Sequence, residues 1–231
     1  MNRKVLITGS TRGIGFATAA EFLKNGDQVL VFCRHLKHVK EAVRRLSSSW
    51  NPENIFGLTG DVRKEADAKR IVGQCLKRFG GIDILINNAG IAAYQSIEET
   101  TLRVWNNILN TNLMGPFIFV RQVLPGMKEQ GSGIIINVSS GLGVEGEANF
   151  SAYCASKFGV IGLTQVAADE ARENGIKIYA VLPGAVRTRL NADLGLGMDP
   201  SELLSPEYVA KRIFEVAEGK QKTGSSVEVY S

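Results

Sequence analysis

Short apolar runs alternate with longer amphipathic stretches along this chain, and the period switches between the two kinds as strand–helix–strand units require. Val5–Thr8, Val29–Cys33, Ile82–Asn87, Ile134–Ser139 and Ile178–Leu182 read as strands. Ile134-Ile135-Ile136 is apolar without a break, the pattern of a strand covered on both faces. Helical periods lie between them, over Gly13–Asn25, Leu36–Leu46, Glu65–Phe79, Leu102–Glu129, Ala152–Asn174 and Pro206–Ala217. Gly80-Gly81 and Asn174-Gly175 are helix stops, and Ser205-Pro206-Glu207 is a helix start with proline in the first turn. Val227–Tyr230 reads as a last strand. Such repeated units predict the α/β class, a doubly wound parallel sheet of about seven strands with helices on both faces. No linker or solenoid-length repeat interrupts residues 1–231, so one domain is expected. Residues 187–204, rich in Gly, Leu and Asp, are the least regular stretch and are expected to be mobile or only loosely helical.

Composition narrows the functional classes. Hydrophobic residues make up 44% and charged residues 22%, ordinary for a chain that buries a core. The net charge of +4, from 27 basic and 23 acidic residues, is spread without runs, so neither a nucleic-acid nor a membrane partner is expected. Cys33, Cys75 and Cys154 lack paired spacing, which points to reduced thiols and a cytoplasmic setting. The two histidines, His35 and His38, share one short stretch, and no metal site is expected. The chain enters a strand at once, leaving no room for a signal peptide, and no apolar run nears the ~20 residues of a membrane span.

The first candidate chemistry lies in Thr8-Gly9-Ser10-Thr11-Arg12-Gly13-Ile14-Gly15, between the first strand and first helix. Glycines there allow a tight turn and bring backbone N–H groups and a helix N-terminus to a phosphate. A carboxylate about 20 residues further on would bind a ribose 2′-hydroxyl and repel a 2′-phosphate. That position holds no acid: the second strand ends Cys33-Arg34-His35. Arg34 and Arg12 supply two guanidiniums suited to a 2′-phosphate, so NADP(H) is expected as the dinucleotide.

A second candidate opens the helix at 152–174. Tyr153 and Lys157 are four residues apart and share a helix face. A neighbouring ammonium favours the phenolate, and the protonated tyrosine can donate to a carbonyl oxygen. Ser139-Ser140 and Asn87-Asn88-Ala89-Gly90 fall at carboxyl ends of strands, where open α/β sheets place ligands.

Together these features resemble the short-chain dehydrogenase/reductase family in its compact single-domain branch, over nearly the whole chain and in register. The resemblance implies a Rossmann-type sheet of order 3-2-1-4-5-6-7. It aligns Gly9, Ser10, Thr11, Arg12, Gly13, Ile14 and Gly15 with the cofactor turn, and Asp61 and Val62 with the pair beside the adenine. Asn88, Ala89 and Gly90 align with the motif supporting the central sheet and the adenosine ribose. Pro183, Gly184, Val186 and Thr188 fall on the segment that contacts the nicotinamide. Asn112, Ser140, Tyr153 and Lys157 align with the catalytic tetrad, Ser140 lying thirteen residues before Tyr153.

The implied mechanism reduces a carbonyl to a secondary alcohol, or the reverse. Tyr153 transfers the proton, Ser140 steadies the oxygen, and Lys157 lowers the tyrosine pKa and binds the nicotinamide ribose. Asn112 holds a water in a proton relay behind Lys157. Ser140, Leu142 and Tyr153 are expected to touch substrate, with 187–204 as the substrate loop and Gly141–Phe150 as its opposite wall. Leu142, Val144, Phe150, Leu190 and Leu194 make that pocket partly apolar. A 3-oxoacyl thioester is the family's commonest substrate for this compact type, with diketones, quinones, sugars and steroids as alternatives. A non-catalytic NADP-binding sensor on the same fold would be expected to lose Tyr153 or Lys157, and both are present. A homo-oligomer, dimer or tetramer, is implied. The chain lacks the Asp-Gly-Gly-type tail that helps build one tetramer interface in many relatives, which weighs against the tetramer.

Overall fold

The computed structural model describes residues 2–230. Seven strands form one parallel sheet: β1 (Lys4–Thr8), β2 (Gln28–Cys33), β3 (Ile55–Thr59), β4 (Ile84–Asn87), β5 (Gly133–Val138), β6 (Ile176–Pro183) and β7 (Ser226–Val229). Their spatial order is β3-β2-β1-β4-β5-β6-β7, as the sequence implied. Alternate residues of the central strands feed two separate cores. Val5, Ile7, Val29, Val31, Ile84, Ile86 and Ile136 pack on one face with Phe22 of α1 (Gly13–Lys24) and Ile213 of α8 (Pro206–Val216). Leu6, Leu30, Phe32, Leu85 and Ile135 pack on the other with Ile71 of α3 (Glu65–Phe79), Phe119 of α5 (Gly115–Gln130) and Ala168 of α6 (Ser151–Ala171). Burial on both faces explains the unbroken apolar runs.

Helix ends follow the sequence reading. Gly80 closes α3 at φ 79°, and Gly175 closes the short 3-10 turn Arg172–Asn174 that ends the α6 segment at φ 72°. Ser205 caps α8 by accepting from the Tyr208 amide, with Pro206 in the first turn. The remaining helices are α2 (Leu36–Ser47), α4 (Leu102–Leu109) and the short α7 (Arg189–Ala192).

One expectation is corrected. The stretch 102–129 is not one regular helix: α4 runs into a π turn at Asn110–Met114 before α5 begins. Residue 116 is proline, so the Asn112 carbonyl has no amide four residues on to receive from, and the ladder widens there. The stretch 187–204 is only loosely helical, as expected, but its ends are tied. Val186 and Leu204 form a parallel bridge, with Arg187 N donating to Leu204 O at 2.9 Å and Leu204 N to Ala185 O at 2.9 Å. Between these latched ends lie α7 and a 3-10 turn at Pro200–Glu202.

The strand order reverses between β1 and β4, and their carboxyl ends are tied by one side chain. Thr8 Oγ1 accepts from both the Asn88 and Ala89 amides at 2.9 Å. Asn88 Nδ2 donates back to the carbonyls of Thr8 and Gly9 at 3.0 and 3.2 Å. Thr8→Val keeps the shape and leaves two amides without an acceptor, so it should lower unfolding free energy by about 2–4 kcal/mol. Urea denaturation with an unchanged denaturant slope would check this.

Candidate active site

One continuous cleft of about 710 Å³ runs along the carboxyl ends of the strands. Its first end is the glycine turn. Gly9 sits at φ 66°, and a Cβ there would lie 2.9 Å from the Ala89 Cα, so only glycine allows this approach. Arg12 is the N-cap of α1 in extended conformation and makes no side-chain cap, and the first turn holds no acidic residue. The first-turn amides are therefore open to an anion at the positive end of the helix. The exposed guanidiniums of Arg12 and Arg34 flank this end of the cleft and are in no ion pair among the described residues. His35 and His38, with ring centroids 5.4 Å apart, line it beside them. The chemistry and shape of this end fit a dinucleotide with a 2′-phosphate.

Most residues assigned from sequence to the cofactor do line the cleft: Gly9, Thr11, Arg12, Gly13, Ile14, Arg34, Asp61, Val62, Asn88, Ala89, Gly90, Pro183, Gly184, Val186 and Thr188. Ser10 and Gly15 do not. Ser10 is fully buried: its Oγ donates to Ile7 O at 2.8 Å and accepts from Phe32 N at 2.9 Å, and its own amide goes to Phe32 O. A Cβ on Gly15 would meet Asn88 Nδ2 at 2.4 Å, so this glycine lets α1 pack on the end of β4. Both residues build the turn and offer the cleft nothing. Asp61 faces the cleft with its carboxylate held by the Arg63 side chain, and that hydrogen bond keeps it below the ordinary carboxylate range against the opposing effect of burial.

The other end of the cleft carries Ser140, Leu142, Tyr153 and Lys157. Ser140 caps the 3-10 turn Gly141–Gly143, accepting from Leu142 N at 3.2 Å. Burial pushes the Tyr153 phenol above its ordinary value, and the hydrogen bond with Ser140 opposes that rise. Phe150 packs beside Tyr153 at 6.0 Å between ring centroids, and Tyr94 beside Phe150 at 5.2 Å. One turn along α6, Lys157 is 4% exposed; its Nζ donates to Val138 O at 2.8 Å and lies 5.5 Å from the Tyr153 ring centroid. Burial brings this lysine down to about 8. The Ser140 hydrogen bond favours the phenolate, and Lys157 donates to the strand carbonyl.

Asn112 does not line the cleft and is 1% exposed. Its Oδ1 accepts from Ile91 N at 2.9 Å, and its Nδ2 donates to Ile91 O at 2.9 Å and to Ser156 Oγ at 3.0 Å. The side chain is therefore committed to the backbone after β4 and to Ser156, and the Asn112 main-chain carbonyl has no i+4 amide because residue 116 is proline.

Sequence reasoning missed several contributors. Thr8 ties the two strand ends, Ser139 Oγ donates to Lys157 O at 2.9 Å to fix α6, and the Val138 carbonyl receives the ammonium. A backbone carbonyl leaves no mark on a sequence, but Thr8 and Ser139 sit inside motifs already recognised. Leu190 and Leu194, expected on the pocket, line the cleft together with Glu145 and Glu147 of the expected wall, and so does Tyr230, which was not expected there. Tyr230 comes from beyond β7, far from every motif.

The sequence profile described as short chain dehydrogenase matches residues 3–198. A 3-oxoacyl-[acyl-carrier-protein] reductase FabG of Staphylococcus epidermidis is 36% identical over 186 residues, 80% of this chain and 76% of that protein. A 3alpha-hydroxysteroid dehydrogenase of Mediterraneibacter gnavus is 34% identical over 193 residues, 84% of this chain and 77% of that protein. Among solved structures, ElxO with NADP bound superposes with a TM-score of 0.91 at 34% identity, covering 100% of this chain and 98% of that one.

Burial of Lys157 has a consequence for stability. Between about 8 and the ordinary 10.5, the folded lysine has lost a proton that the unfolded chain retains, so unfolding takes up a proton. Lysine's share of the stability therefore rises with pH across that window. In a Lys157→Met variant this rise should vanish, shifting the wild-type minus variant difference by up to about 3 kcal/mol. Urea titrations at the two ends of the window would measure it.

Proposed function

The chain belongs to the short-chain dehydrogenase family and is an oxidoreductase, and from that premise we propose that it interconverts a carbonyl compound and a secondary alcohol with NADP(H). The observation that carries this reading is the placement of Ser140, Tyr153 and Lys157 at one end of the cleft whose other end offers open helix amides and two unpaired guanidiniums. The bound nicotinamide supplies or accepts the hydride. Burial keeps the Tyr153 phenol protonated at neutral pH, so it can donate to the carbonyl oxygen as that oxygen gains charge. Ser140 holds the same oxygen and steadies the phenolate left behind. Lys157 binds the nicotinamide ribose on this reading, and its position over the Tyr153 ring supports that role. Asn112 acts through position, locking the segment after β4 against α6.

A 3-oxoacyl thioester is the substrate this reading favours, with the 36% identical FabG as its support. The apolar side chains of Leu142, Leu190 and Leu194 on the cleft suit an acyl chain. The segment 187–204 forms the substrate loop of a chain working as one domain. A homo-oligomer is supported by the exposed apolar side chains of Phe117, Phe158 and Val166 on α5 and α6. The three free cysteines suit the reducing cytoplasm.

Two measurements test this reading. Tyr153→Phe should abolish NADPH-dependent reduction across a panel of carbonyl compounds while leaving NADPH binding near wild type; turnover within tenfold of wild type would exclude the role. Arg34→Ala and Arg12→Ala should each weaken NADPH binding about 10- to 100-fold, the worth of a charge-assisted hydrogen bond, and leave NADH binding unchanged. A preference for NADH in the unaltered protein would overturn the cofactor assignment.

A further inference from the structure

Tyr230 belongs to no motif, yet the fold brings it, half-exposed, to the wall of the cleft beside Gly141 and Gly184. Val229 pairs with Pro183 in the sheet, and Gly184 N donates to Val229 O at 3.0 Å. Tyr208 Oη donates to Tyr230 O at 3.3 Å, so the backbone of Tyr230 is held just beyond the sheet pairing of Val229. Its ring fills space left by two glycines. A Cβ on Gly184 would lie 3.1 Å from the ring Cδ1, and a Cβ on Gly141 would lie 2.9 Å from the hydroxyl. Gly141 follows Ser140, and Gly184 lies in the segment aligned with the nicotinamide. Tyr230 thus reaches from the segment at Gly184 to the turn that follows Ser140. It lines the cleft, and its hydroxyl has no hydrogen-bond partner among the described residues.

On the carbonyl-reductase reading above, we propose that Tyr230 is a substrate-binding residue whose hydroxyl donates to the second oxygen of a 3-oxo ester or thioester, while Ser140 and Tyr153 hold the first. A simple ketone offers one acceptor, which Ser140 and Tyr153 use. A 3-oxo ester carries a second carbonyl a short way along the chain, and this phenol is a donor beside the Ser140 turn with no hydrogen-bond partner among the described residues. The ring then covers the apolar link between the two carbonyls. Tyr230 thereby selects dicarbonyl substrates over monocarbonyl ones of equal length.

The test compares ethyl acetoacetate with methyl pentyl ketone, which has the same chain length and no ester oxygens. Equilibrium binding of each to the full chain loaded with NADP+ is measured for the wild type and for Tyr230→Phe. The wild type should prefer the keto ester, and Tyr230→Phe should erase about three- to tenfold of that preference, the worth of one neutral hydrogen bond. Binding of the ketone, NADPH affinity and thermal midpoint should stay as in the wild type. In turnover, KM for the keto ester should rise by the same factor with kcat unchanged. Equal binding of the two compounds by the wild type, or a preference that survives in Tyr230→Phe, would overturn the proposal. Binding separates this outcome from the fate of the reductase reading. Tyr153→Phe should lose turnover on both compounds and keep the binding preference; if it still turns over, the proton-transfer role fails while the Tyr230 comparison still decides.

Discussion

The whole site depends on how closely β1 and β4 end side by side. Both strands stop where the strand order reverses, and beyond that point no neighbouring ladder satisfies their backbone groups. Thr8 and Asn88 take over, the hydroxyl receiving two amides and the carboxamide returning to two carbonyls. Gly9 can then pass against Ala89, and the turn after it aims its amides along the cleft. A larger separation would leave four polar groups unpaired and move the anion end away from the reacting end. The crevice is a product of hydrogen bonds that exist because the sheet changes direction there.

Beneath the reacting end, the protein buries polar groups that a simple core would exclude. Lys157 rests on a strand carbonyl, Asn112 bridges Ile91 and Ser156, and Asn87 donates to Asn137, which donates to Thr164. Burial costs free energy unless each group is bonded, and nearly all are. Asn87 Oδ1 is an exception, buried with no partner. The two apolar cores on either face of the sheet offset this cost. In return, the positions of Tyr153 and Lys157 are set by bonds with definite directions, which apolar packing alone does not provide.

Much of this was legible in the sequence, because strand runs, glycine stops and the spacing of Tyr153, Lys157 and Ser140 are local patterns. What escaped was of another kind. Ser10 and Gly15 belong to the same motif as Arg12 and Gly13, and a motif does not distinguish residues that build a turn from those that face out of it. The break at Asn110–Met114 follows from the missing amide of Pro116, a one-atom cause inside an otherwise helical period. The latch between Val186 and Leu204 and the arrival of Tyr230 are contacts between distant segments, which only the closed sheet brings together.

The π turn at Asn112 also sets a rule about length. Each residue of an α-helix turns it by about 100°, so one extra residue rotates everything beyond by more than a quarter turn. Here that rotation lets α4 lie against α6 while α5 lies against β4 and β5. Substituting an outward-facing residue of 102–130 leaves this phase alone. Removing any single residue from 110–114 would turn one half of the segment by about 100° relative to the other and swing it off its partner. The segment thus holds its two partners by its residue count as much as by the side chains it carries.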